Sequence, residues 1–185
     1  MFRIFCLLIP LIVAGSEAFG QDNQPWRMPG TKKANPVKPV SESSWSSPAA
    51  ACALLADIPG MQTRGYKNNP SAPKEYSCSS PQKSIGDGWS LENNLAYYVV
   101  GDRNTATELR LVLKLSNMDA APVGRSVLAV ASDLLAKRAL GNSLPDGILK
   151  ALLAGRTGEW DVREHQILIT REDWPGGYAM KFIIR

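Results

Sequence analysis

Residues 107–115, Thr-Glu-Leu-Arg-Leu-Val-Leu-Lys-Leu, constrain this chain more than any other stretch. Leu109, Leu111, Leu113 and Leu115 alternate with Arg110, Val112 and Lys114. Successive side chains of an extended strand point to opposite faces. Period two therefore puts four leucines on one side and two cations on the other. Such a strand suits a sheet with one buried and one solvated face. The run before it, Leu95 to Val100, is also strand-like, and Gly101-Asp102-Arg103-Asn104 between them is a turn-forming cluster. The two runs predict an antiparallel hairpin with a basic wet face. The remaining elements must cover the leucines or pair with the hairpin's edges.

The cover comes from helical segments. Ser47 and Pro48 open a short helix over residues 49–57, with Cys52 and Leu55 on one face. A longer helix follows the hairpin, with Asp119 as its cap. Its expected buried stripe is Val123, Val127, Val130, Ala131 and Leu134. Lys137 and Arg138 suit its C-terminal end, and Gly141 stops it. A second helix, capped by Ser143, turns Ile148, Leu149, Leu152 and Leu153 inward and ends at Gly155.

Strands return in the last thirty residues. Residues 159–162 and 166–171 read as extended, and the apolar phase shifts at Arg163-Glu164-His165, which predicts a bend or bulge. Asp173-Trp174-Pro175-Gly176-Gly177 is a turn, and Tyr178 to Arg185 closes the sheet. A short strand over residues 75–79 precedes the first hairpin. The order is helix, short strand, hairpin, two helices, hairpin. That order specifies an α+β two-layer domain, a mainly antiparallel sheet with helices packed on one face.

The segments before this domain have a different character. Met1-Phe2-Arg3, the apolar run Ile4 to Ala14 and the small-residue end at Ala18 and Gly20 form an expected signal peptide over residues 1–20. The apolar run is short for a membrane span, so no stable span is expected after cleavage. An uncleaved anchor is the other reading. Residues 21–47, punctuated by Pro25, Pro29, Pro36 and Pro39 and ending serine-rich, read as a flexible, mildly basic tether. Residues 48–185 form the single domain. Beyond residue 20 two cysteines remain, Cys52 and Cys78, and an even count in an exported chain predicts one disulfide. The expected location is periplasmic or secreted.

Composition and motifs rule out more than they identify. A net charge of +4 is too small to single out nucleic acid, which would need aromatics among many more cations. Two distant cysteines and one histidine do not make a zinc site, and Gly86-Asp87-Gly88 lacks the further ligands of a calcium loop. No phosphate-cradling glycine loop or serine-nucleophile elbow is present, so no cofactor or metal is expected. Two functional readings remain. One is a small non-catalytic binding protein of the cell envelope, of the inhibitor, immunity or secretion and assembly accessory type. Its partner would be an envelope protein or a glycan, met through the wet sheet face and an aromatic loop. Trp174, Arg110, Lys114, Trp160 and Tyr98 are its candidate contacts. The other is a hydrolase of cell-wall or other polymer. It would use His165, beside Glu164 and Asp161, or a carboxylate pair among Asp161, Glu164, Glu172 and Asp173.

Overall fold

The computed structural model describes residues 45–70, 72–86 and 92–185. The expected signal peptide and nearly all of the expected tether lie outside these residues, as do Trp89 and most of the Gly86-Asp87-Gly88 loop. The fold is α+β. Among the described residues three helices, α1 (Pro48–Ala53), α2 (Ala121–Leu140) and α3 (Asp146–Ala154), accompany eight strands. The strands are β1 (Lys67–Asn69), β2 (Ala72–Ser79), β3 (Lys83–Ile85), β4 (Asn93–Gly101), β5 (Ala106–Leu115), β6 (Gly158–Val162), β7 (His165–Trp174) and β8 (Gly177–Ile184). They form one sheet in the order β1-β2-β4-β5-β8-β7-β6, with β3 paired to the free part of β4 beside β2. Every pairing is antiparallel.

The leucine face of β5 is the floor of the core. Leu111 sits between Tyr97 of β4 and Phe182 of β8, and Leu109 between Val99 and Ile184. Ile169 and Ile167 of β7 extend these two rows. All eight side chains are buried. Apolar residues meeting across adjacent strands on one face are the basic stabilising unit of a sheet. The last strand does not close the sheet at an edge, as its terminal position suggests. It lies between β5 and β7, and Ala179 and Ile183 on its outer side are buried as well. Its apolar run suits an interior strand, flanked on both edges by β5 and β7.

The expected bulge at residues 163–165 is a full reversal. Val162 pairs with His165 across a two-residue turn, and Arg163 takes a left-handed φ of 57°. A two-residue turn swaps sequence parity between strands. Trp160 and Val162 thus share a face with Ile167 and Ile169. The apolar phase shift in the sequence marks this turn.

The main helix also turns a different side inward. Its buried residues are Ala121, Gly124, Leu128, Ala129, Ala131, Ser132, Leu135, Ala136 and Ala139. Of the expected stripe only Ala131 is among them, while Val123 and Val130 are 56% and 71% exposed. The reason is volume. The leucines of β5 already supply bulk, so the helix approaches with glycine and alanine at most of its buried positions, Leu128 and Leu135 being the large ones. A Cβ on Gly124 would stand 2.6 Å from Leu115 Cδ2. Its N-cap is Ala120 rather than Asp119, and the Asn117 Oδ1 accepts from the Asp119 and Ala120 amides. Asn93, buried, accepts from the amides of Ser116 and Asn117 and donates to the Asn117 carbonyl, locking the exit from β5.

At the other end of the core α1 is tied down three ways. Cys52 is bridged to Cys78 of β2. The Tyr97 hydroxyl, raised far above its ordinary pKa by burial, donates to the Ala51 carbonyl at 2.8 Å. Arg138 of α2 donates to both oxygens of Asp57, at 2.5 and 2.9 Å, just past α1. Trp45 is buried in the same core and the Ser46 carbonyl accepts from the Ala106 amide. Packing therefore begins ahead of the residue 48 expected from the sequence.

Two outcomes follow for stability. Cys52→Ser should cost about 3.5 kcal/mol, the chain-entropy value for a closed loop of this 26-residue separation. Urea unfolding with and without reductant checks this, and the variant should match the reduced parent. Tyr97→Phe removes a buried hydrogen bond and leaves the Ala51 carbonyl with the Leu54 amide at 3.2 Å, so it should cost about 1 kcal/mol in the same assay.

Candidate functional site

Among the described residues the helices pack on the leucine face alone. The opposite face of the sheet is therefore the open one. Strand parity assigns its residues: Tyr98 from β4, Glu108, Arg110, Val112 and Lys114 from β5, Ala179, Lys181 and Ile183 from β8, Leu168, Thr170 and Glu172 from β7. Because β5 and β8 are neighbours, the two hairpins present one continuous surface.

The centre of this face is a fixed cluster of charges. Glu108 is buried and bonded to two cations, Arg110 on its own strand and Arg185, whose Nε donates to it at 2.8 Å. Arg110 lies between Tyr98 and Ile183 in the strand register. Its Nε is buried and has no hydrogen-bond partner among the described residues. A half-used guanidinium is a costly group to leave dry and favours an incoming acceptor.

One end of the same face is hollowed. Val112, Lys114, Ser116, Glu172, Trp174, Ala179 and Lys181 line a depression of about 430 Å³. That size lies within the range of small-ligand and side-chain sites, about 300–1,000 Å³. Lys181 Nζ holds Glu172 Oε2 at 3.0 Å, whereas Lys114 is exposed and forms no ion pair among the described residues. Trp174 is the last residue of β7 and pairs with Gly177 across the Pro175-Gly176 turn. A Cβ on Gly177 would meet the Leu115 carbonyl at 2.2 Å and the Trp174 Nε1 at 3.0 Å. The indole thus rests against a backbone that only glycine allows, which fixes its position beside the two lysines.

Tyr98, Arg110, Lys114 and Trp174 accordingly share one face. Trp160 does not. It lies on the helical side of β6, packed at the core edge over Gly158, whose added Cβ would meet the indole at 2.3 Å. The sequence reading did not include Val112, Ser116, Ala179 and Lys181 among the contacts, and it gave Glu172 only as a carboxylate of the hydrolase reading. The alternation Ala179, Lys181, Ile183 carried the signal for β8, but only its pairing with β5 joins it to Lys114.

The groups of the hydrolase reading are spread over both faces. His165 is on the helical side, half-buried, its ring centroid 5.7 Å from that of Trp45. Asp161 is on the open face and exposed, and Glu164 is in the turn. Glu172 is paired with Lys181, and Asp173 with Arg171 at 2.6 Å. A wider hollow of about 590 Å³ lies elsewhere, between α1 and residues 62–66, and no charged residue lines it. No helix among the described residues is long and apolar enough to cross a membrane. Comparison with family models, curated proteins and solved structures found no match.

Gly177→Ala tests the seat of the indole. Backbone would have to move, so the variant should lose about 1–3 kcal/mol. Its Trp174 emission should shift relative to the parent, read against a Trp174→Phe control. An unchanged spectrum would mean that glycine does not position the ring.

Proposed function

We propose that this chain is a non-catalytic binding protein of the cell envelope, exported to the periplasm or beyond. It would act as an inhibitor, immunity protein or accessory of secretion or assembly. The open sheet face engages the partner, an envelope protein or a glycan, with the Trp174 hollow at one end and the Arg110 cluster at the centre. The observation that supports this is the convergence of Trp174, Lys114 and Lys181 on one hollow of an uncovered face. A rigid aromatic beside an unpaired cation is the composition of an anchoring contact. The aromatic removes apolar area from water and the cation selects an acidic or hydroxyl-rich group. The disulfide fits an oxidising compartment. The charges at the cluster centre are held by one another before any partner arrives, so little ordering entropy is lost on binding.

The test is capture from an envelope extract at low and high salt, with the parent and the Trp174→Ala, Lys114→Ala double variant side by side. Both residues lie outside the core, so the variant should keep the parent's circular dichroism and unfolding midpoint. The expected result is one predominant partner, retained by the parent and reduced at least about tenfold with the variant. Equal capture by both proteins would remove this surface from the reading. Turnover of a polymeric substrate that is lost in His165→Ala would replace it with the hydrolase reading.

A further inference from the structure

The valines that α2 leaves outside the core form a second surface. Val123, Val127, Val130 and Leu134 follow one another at spacings of four, three and four residues. That is the heptad spacing by which one helix accepts the apolar knobs of another. The stripe runs about 16 Å along the helix at 1.5 Å per residue. Ile58, Met61 and Lys83 stand opposite it, and together they enclose a groove of about 350 Å³. Val123 and Val130 face water while Val127 and Leu134 are half-buried against the core, and a monomeric surface gains nothing by exposing the two valines.

One charge marks this groove. Among the described residues Lys83 is the only ionisable one lining it. Its aliphatic stem lies across Gly60, where an added Cβ would meet Cδ at 3.3 Å. The carboxylates on neighbouring elements are engaged elsewhere. Glu92 accepts from Ser84 at 2.6 Å, Asp133 holds Lys137 at 2.7 Å, and Asp57 holds Arg138. Among the described residues the Lys83 ammonium has no ion-pair partner.

We infer that this groove binds an amphipathic helix of a partner protein. The helix sets its apolar side on Val123, Val127, Val130 and Leu134 and points a carboxylate at Lys83. The length of the stripe, about 16 Å, matches about three turns of a helix laid along it. The unpaired cation specifies acidic flanks. Helix-in-groove recognition uses anchors at this repeat. The site is separate from the open sheet face and does not rest on it.

The probe is a labelled designed helix of about 18 residues, with leucine at heptad a and d positions and glutamate at the flanks. A counterpart carries lysine at the flanks. Each is titrated into the purified protein by fluorescence anisotropy. The acidic helix should bind and the basic one at least about tenfold more weakly. Val130→Glu, at a 71% exposed position that leaves the core alone, should abolish binding without lowering the unfolding midpoint. Lys83→Glu should reverse the preference between the two helices. The Trp174→Ala, Lys114→Ala variant should bind the acidic helix as the parent does. Equal affinity for both helices, or indifference to Lys83→Glu, would overturn the inference. So would a dimer in sedimentation that Val130→Glu dissolves, which would make the occupant a second copy. Binding of dodecanoate with no binding of either helix would make it an acyl chain.

Discussion

The close approach of α2 to the leucine face of β5 is the constraint on which the rest of this structure depends. Four leucines fill the space above the sheet, so the covering helix must be thin where it touches them. Gly124, Ala131, Ala136 and Ala139 make it so. Two consequences follow from that one fit. Leu128 and Leu135 fill the core while Val123 and Val130 stay on the outer side, beside the groove with Ile58 and Met61. With both layers' apolar surface matched on one side, the other side of the sheet is left free for polar and mixed residues.

The open face is held by strands rather than loops, which matters for recognition. Arg110 and Lys114 lie on an interior strand, between β4 and β8, and Lys181 on the next. Trp174 is at a strand end, seated on Gly177. Groups fixed in this way keep their spacing when a partner arrives, and the affinity is not spent on ordering them. Asn93 extends the rigidity to Ser116 by closing the backbone where β5 ends.

Some of this architecture is legible in the sequence and some is not. The alternation in β5 is local, and it placed Arg110 and Lys114 on the wet side correctly. The Gly101–Asn104 turn and the Cys52–Cys78 bridge are equally local or forced by small numbers. The inward side of α2 is not local. Valine and leucine are more hydrophobic than alanine, so the sequence favours Val123 and Val130 as core. Burial instead went to the side on which Leu128 and Leu135 stand among Gly124, Ala131 and Ala136, because fit against existing bulk outweighs the hydrophobicity of the valines. The phase shift at Arg163 was visible, but a bulge and a two-residue reversal shift parity alike, and only pairing separates them.

The sequence by itself determined which residues of each strand share a face, where the chain turns, which cysteines join, and that helices and an antiparallel sheet make two layers. These depend on neighbours two to four positions apart. Tertiary structure alone decided that the C-terminal strand enters the middle of the sheet beside β5. That pairing brings Lys181, Glu172 and Trp174 to Lys114 and sends Trp160 to the opposite side. Pairing between strands more than sixty residues apart is chosen by the summed packing of both faces of the sheet, a quantity no single segment carries.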